Sequence, residues 1–237
     1  MTIRKQIIFL SGFWSLHIIF TFMACKSKDK AVNTNNDPQS IFFDFQVTGS
    51  EEEDSVTVLL HFRNSDIEGE AFRLDKPSEV RLDGESLDYN SSKMTGHYYE
   101  KRKSVGSFTG DHKIIFTDVK GNTYQENFSF RPFYLVKPPN EIHFGDSLAL
   151  QFDGLEKEDY LLVLMTDTSF PGQGLNRVDT IRNGKLIISP DELQKLNPGP
   201  VQIIFTREFE RPLENGTKSG GRLAITYRLS REFILQE

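Results

Sequence analysis

The chain has 237 residues and a formal net charge of −6 at pH 7, with no basic stripe of the kind that follows a nucleic-acid backbone. It contains 1 cysteine, which excludes an internal disulfide, so the fold must rest on an apolar core. Its 20 phenylalanines, together with valine, isoleucine and tyrosine in short runs between glycine, proline and asparagine, predict β structure.

The first 24 residues have the layout of a secretory signal. Arg4 and Lys5 form a basic start, and a mostly apolar run follows as far as Ala24. Met23-Ala24-Cys25 resembles the lipobox of bacterial lipoproteins, in which a small residue precedes a cysteine that is lipidated. The resemblance implies that residues 1–24 are a signal peptide and that Cys25 carries acyl chains such as palmitate and becomes the mature N-terminus. The apolar run is also close to the length of a membrane-spanning helix, so a retained anchor is the alternative.

A polar segment, KSKDKAVNTNNDPQS, follows Cys25. It has too few apolar residues to bury against a core, so residues 25–40 are expected to be a flexible tether to the membrane.

Residues 41–134 are predicted to form a first β-sandwich domain. The run IFFDFQV and the run SVTVLLHF alternate apolar with polar residues and are separated by an acidic turn, which predicts an antiparallel pair. Asp83-Gly84 predicts a hairpin turn, and HKIIFT and TYQENFSF predict two further strands.

Residues 135–237 are predicted to form a second β-sandwich domain, after a proline-rich break. SLALQF and GKLIIS predict strands, and YLLVLM predicts a central strand of a two-layer packing. Ser189-Pro190 with Glu192 predicts one short helix that begins with a capping box. VQIIFTREF and RLAITYRLSREFIL predict closing strands, and residues 210–221 between them predict a long mobile loop.

Two segments 89 positions apart are similar, GDHKIIFT from Gly110 and GPVQIIFT from Gly199. This spacing is the size of one immunoglobulin-like domain, and the chain resembles the broad immunoglobulin-like and fibronectin-like class. The resemblance implies an all-β fold of two tandem sandwiches. The phenylalanine-rich cores and the tether also resemble uncharacterised lipoproteins of the Bacteroidota type.

The sequence contains no complete catalytic motif. FGDSL at residues 144–148 resembles the nucleophile block of GDSL-type hydrolases, but no histidine follows His143 to serve as a base, so Gly145-Asp146 is interpreted as a turn that opens a strand. The histidines show no metal-ligand spacing. We predict that the protein is not an enzyme and has no catalytic residues, metal site or cofactor.

The remaining interpretation is a lipid-anchored protein of the bacterial cell envelope, with the outer membrane favoured over the inner one. Its function is predicted to be non-catalytic binding, adhesion or assembly, with a protein or glycan partner and no nucleic acid. Loops at the ends of sandwich domains commonly recognise ligands, which points to residues 168–176 and 210–221, with Tyr98 and Tyr99 as candidate ligand contacts. An envelope enzyme with a site built from dispersed residues, or a passive spacer, are the alternatives.

Overall fold

A computed structural model describes residues 37–138, 141–169 and 174–237. The predicted signal peptide, Cys25 and the tether as far as residue 36 lie outside the described residues. Within the described ranges, no helix is long and apolar enough to cross a membrane. Pro38–Ser40, at the end of the predicted tether, form a 3-10 helix, and Gln39 Nε2 donates a hydrogen bond to Tyr124 Oη at 2.7 Å.

Strands dominate the described residues, which confirms the predicted all-β class. In chain order the strands are β1 (Ile41–Ser50), β2 (Ser55–Asn64), β3 (Glu79–Leu82), β4 (Glu85–Ser86), β5 (Asp88–Ser92), β6 (Gly96–Lys103), β7 (Gly110–Thr117), β8 (Thr123–Phe130), β9 (Tyr134–Leu135), β10 (Glu141–His143), β11 (Leu148–Asp153), β12 (Glu158–Asp167), β13 (Gly174–Arg182), β14 (Lys185–Ile188), β15 (Gly199–Thr217) and β16 (Gly220–Gln236). The part of the chain that the structure describes also has two short α-helices, α1 (Val105–Phe108) and α2 (Pro190–Leu193).

Among the described residues, the strands form two sheets. The larger has 12 strands in the order β5-β6-β2-β1-β16-β15-β12-β13-β14-β11-β9, with β10 pairing to β16, and the smaller has the order β4-β3-β7-β8. A single residue pair, Arg182 with Lys185, joins β13 to β14. After this pair the sheet folds back over its own face, as the contact between Phe152 on β11 and Phe205 on β15 shows. These two rings pack edge-on at 4.9 Å. The result is the expected two-layer packing.

The long hairpin of β15 and β16 pairs with strands from both halves of the chain, that is, from before and after position 134. The first part of β16 pairs in parallel with β1, with Phe45 opposite Leu223, and its last residues pair with β10. The segment assigned to the second domain therefore supplies strands beside the first. The boundary between residues 134 and 135 stays a prediction. The predicted loop at residues 210–221 is wrong: β15 runs to Thr217 and β16 starts at Gly220, because the hairpin continues as a ladder beside β1.

Several local predictions are confirmed. β1 and β2 are antiparallel, with Phe43 opposite Phe62. Asp83 and Gly84 both have positive φ, 51° and 84°, as a type I′ hairpin turn requires. The capping box is present at α2, where Ser189 N donates to Glu192 Oε2 at 3.0 Å.

The core of the first half lies between β1 and β2 on one side and the smaller sheet on the other, and it is rich in aromatic rings. Tyr227 on β16 extends this aromatic packing toward the second half. Its ring packs edge-on against Phe130 at 5.8 Å and against Phe133 at 5.4 Å. The two halves are therefore continuous through buried aromatic contacts.

Candidate functional site: a groove between β8 and β15

A groove of about 570 Å³ lies between β8, at the edge of the smaller sheet, and β15. We call it the junction groove, because residues from before and after position 134 line it. The lining residues are Asn127, Phe128, Ser129, Arg131, Glu156, Asp159, Tyr160, Arg207, Glu208, Phe209, Arg211, Leu223, Ile225 and Tyr227.

The groove lies where the ladder between β12 and β15 ends. The pairing of β12 with β15 ends at Leu162 and Thr206, whereas β15 stays paired with β16 as far as Pro212. From Arg207 onward, no strand of the described residues is paired with β15 on the β12 side, although β12 itself extends to Glu158. The inward-facing residues of this stretch are left partly uncovered.

Two exposed aromatic side chains line the groove. Tyr160 is 60% exposed and Phe209 is 51% exposed, although rings of this size are mostly buried in folded proteins. Phe209 is paired in register with Ile225, and the next inward pair along β16 includes the buried Leu223. An apolar floor beside exposed rings is the usual composition of a ligand-binding site.

Arginine side chains lie beside carboxylates in the groove. Arg207 Nη1 is 3.5 Å from Asp159 Oδ2, and Arg211 Nη2 is 2.6 Å from Glu126 Oε1. Arg207 Cζ also lies 5.8 Å from the ring centroid of Phe133. The lining residues include three arginines and three acidic residues, and Glu126 and Asp111, the partners of Arg211 and Arg131, add two further carboxylates beside them. The site therefore offers both hydrogen-bond donors and acceptors without an excess of positive charge.

The sequence-predicted contact residues lie elsewhere. Tyr98 and Tyr99 are neighbours on β6, so their side chains point to opposite faces of the sheet. Tyr99 packs edge-on against Phe62, and its hydroxyl accepts a hydrogen bond from Leu74 N at 3.0 Å. Burial raises the pKa of Tyr99. Tyr98 lies on the outer face, where its ring is 5.9 Å from that of His61. Neither lines the junction groove, and their role as ligand contacts stays a prediction.

Arg207, Phe209 and Arg211 were not recognised as site residues from the sequence. Their alternation within TREFER was the available signal, because residues two apart in a strand share a face. The predicted mobile loop began at residue 210, so Arg211 was assigned to a loop and the alternation was interrupted after Phe209. Of the other predicted loop, residues 170–173 lie outside the described residues, and Gly174 begins β13.

Two histidines of the described chain, His112 and His143, are held in structural contacts. His112 Nδ1 is 2.7 Å from Asp83 Oδ2 and its Nε2 is 2.6 Å from the carbonyl oxygen of Phe108, so both ring nitrogens face acceptors. His143 Nδ1 is 3.2 Å from the backbone oxygen of Glu237. A turn at Gly145 precedes β11, as the sequence predicted, and Ser147 is exposed just before that strand. Within the described ranges, no group of three or more His, Cys, Asp or Glu residues could hold a metal ion.

A charged network lies on the outer face of the larger sheet. Asp44 is fully buried and accepts hydrogen bonds from Arg222 Nε at 2.9 Å and Arg63 Nε at 3.1 Å. Burial alone would raise the pKa of Asp44, but the hydrogen bonds from Arg222, Gln46 and Arg63 lower it below its ordinary value. His61 lies beside this network, with Nδ1 3.9 Å from Asp44 Oδ2. Within the described residues neither of its ring nitrogens has a hydrogen-bond partner.

We expect His61 to make the fold less stable at mildly acidic pH. Burial and the charge of Arg63 lower the pKa of His61, and the charge of Asp44 opposes them only in part. The unfolded chain therefore binds a proton near pH 6.5 that the folded chain rejects, and stability falls as pH drops through that value toward the folded pKa. Urea unfolding of wild type and His61→Gln at pH 8 and pH 5 measures this effect.

The wild type should lose more stability than His61→Gln between these pH values, because the other histidines are common to both proteins. Equal losses would contradict the assignment. Asp44 does not interfere in this window, because its pKa is already lowered from 3.8.

The sequence matches no protein-family model and no curated protein. Among solved structures, the chain matches the Bacteroides ovatus mixed-linkage glucan utilization locus SGBP-B in complex with a mixed-linkage heptasaccharide, at 15% identity and a TM-score of 0.24, over 85% of this chain and 46% of that chain. It also matches DIP-gamma IG1+IG2, at 9% identity and a TM-score of 0.24, over 82% of this chain and 94% of that chain.

A third match is to the fibronectin(III)-like modules of Clostridium thermocellum CbhA, at 8% identity and a TM-score of 0.21, over 78% of this chain and 89% of that chain. All three TM-scores are below 0.5, so the fold assignment rests on the strand order and layers of this chain itself. By those features the chain is an all-β protein with the layers of a β-sandwich.

Proposed function

We propose that the protein is a lipid-anchored binding module of the bacterial cell envelope and that the junction groove is its binding site. The observation that carries the binding role is the pairing of exposed rings, Tyr160 and Phe209, with partly buried ion pairs in one concave site. Exposed aromatic residues and arginine are the side chains that most often dominate binding energy. The hydrogen bonds that occupy His112 and His143 support a non-catalytic role.

The lipid anchor is proposed from the sequence of residues 1–25. Radiolabelled palmitate should enter the wild-type chain and not Cys25→Ala, since Cys25 is the only cysteine. Immunoblotting of both proteins controls for expression. Label retained in Cys25→Ala would overturn the anchor.

The groove is tested by site-specific photo-crosslinking of the full chain in its native cells. With p-benzoylphenylalanine in place of Tyr160, irradiation should produce an adduct, because this side chain lines the groove and is exposed. The same residue in place of Ile187 is the matched control, since Ile187 is 62% exposed and lies outside the groove.

An adduct formed at position 160 and not at position 187 supports binding in the groove, whether the adduct is protein or polysaccharide. No adduct at either position, or equal adducts at both, would reject the groove as the binding site. The first of those results would favour the passive spacer.

A further inference from the structure

The β8 side of the junction groove is closed to a pairing strand. Side chains from β15 already donate hydrogen bonds to its backbone carbonyls. Asn215 Nδ2 donates to Gln125 O at 3.1 Å, and Arg211 Nη2 donates to Asn127 O at 2.8 Å. Arg207 Nη2 donates to the carbonyl of Arg131, just past the end of β8. An added peptide strand needs such carbonyls as acceptors, so β8 offers it a poor edge.

The β15 side is also unsuited to strand addition. Arg228 O on β16 accepts a hydrogen bond from Glu51 N, just past the end of β1, so Thr206, which is opposite Arg228 on β15, directs its backbone groups away from β16. Alternate residues of a regular strand direct their backbone groups to the same side, so the backbone groups of Glu208, Glu210 and Pro212 also face away from β16. Pro212 has no N–H, and charged residues and proline are the features that keep natural sheet edges from pairing. An extended peptide is thus disfavoured on both sides of the groove.

The charge of the groove argues against a polyanion. Each lining arginine has a carboxylate partner: Arg207 has Asp159, and Arg131 Nη2 lies 3.3 Å from Asp111 Oδ1. An anionic ligand would be repelled by these acids and by Glu156 and Glu208. A ligand with neighbouring hydroxyl groups suits the same arrangement, because each hydroxyl can accept from a guanidinium and donate to a carboxylate.

The exposed rings provide the aromatic surface that a sugar needs in addition to hydrogen-bonding groups. Sugar rings have an apolar face of C–H groups that packs on an aromatic ring, and Tyr160 and Phe209 present rings to the groove. Asn127 and Ser129 add neutral polar groups on the opposite wall. We infer that the junction groove binds an uncharged oligosaccharide; this inference rests on the proposed binding function and specifies its ligand.

The test uses the purified full chain in detergent micelles. An array of neutral and anionic glycans identifies the preferred ligand, and calorimetry with that glycan measures the affinity of wild type, Phe209→Ala, Tyr160→Ala and Ile187→Ala. A neutral glycan should bind, and each of the two groove substitutions should weaken it about tenfold, as expected for loss of an aromatic anchor. Ile187→Ala should bind like wild type. Circular dichroism checks that the variants fold.

Failure to bind any neutral glycan, a preference for anionic glycans, or equal affinity in the groove variants and wild type would each overturn the inference. The crosslinking experiment separates this failure from failure of the proposed function. A protein adduct at position 160, without glycan binding, would keep the groove as a binding site and reject the oligosaccharide.

Discussion

Asp44→Ala should destabilise the fold by about 3–5 kcal/mol, the usual cost of removing one partner from a buried ion pair. Asp44 is fully buried and bonds to both Arg63 and Arg222, which come from strands on either side of β1. Without the carboxylate, two guanidinium groups are left close together, and the links from β1 to β2 and β16 weaken. Urea unfolding of the full chain at pH 7 measures the loss.

Glu79→Ala is the matched control, because Glu79 forms an ion pair with Arg81 in which both side chains are about half exposed. Exposed pairs contribute about 0–1 kcal/mol, so this variant should unfold close to the wild type. If Asp44→Ala is no less stable than Glu79→Ala, then Asp44 is not a structural partner of the two arginines.

Asp44 also shows where sequence reasoning reaches its limit. The alternation in IFFDFQV predicts that Asp44 faces away from the phenylalanine core, and it does so. Alternation cannot predict that Asp44 is nevertheless fully buried, because the side chains that bury it are distant in sequence. Arg222 is 178 positions away and reaches Asp44 only through the parallel pairing of β1 with β16. Burial of a polar residue on an outer face therefore depends on pairing that local patterns do not contain.

The features predicted well are those that depend on neighbours in sequence. The turn at Asp83 and Gly84 follows from two residues that tolerate positive φ, and the cap of α2 follows from Ser189 and Glu192. Each of these features is complete within a few residues.

The junction groove could not be predicted in the same way. It depends on the pairing of β12 with β15 ending at Leu162 and Thr206 while β15 continues beside β16, and the point at which this pairing ends is set by tertiary structure. Glycine, asparagine and proline in residues 210–221 favour a loop locally. The pairing of Arg211 with Leu223 and the bond from Asn215 to Gln125 O instead stabilise an extended strand. Tertiary pairing therefore overrides the local preference where the groove forms.

The aromatic core should be the main source of stability in the first half. Phe62 is fully buried, and its ring lies 4.8 Å from Phe116, 5.6 Å from Phe43 and 5.7 Å from Tyr99. Phe62→Ala should therefore cost about 3–5 kcal/mol, since it removes these contacts and leaves a cavity between the two sheets. Urea unfolding of the full chain measures the change in free energy.

The same substitution at Phe209 tests whether this cost comes from burial. Phe209→Ala removes an identical side chain from a half-exposed position, so it should change stability by about 0.5 kcal/mol or less. Phe62→Leu should lose less than half as much unfolding free energy as Phe62→Ala, because leucine fills most of the cavity. A similar cost at positions 62 and 209 would show that the ring cluster does not hold the sheets together. In a chain with one cysteine no disulfide can compensate, so the large difference between these two variants follows directly from how each phenylalanine is packed.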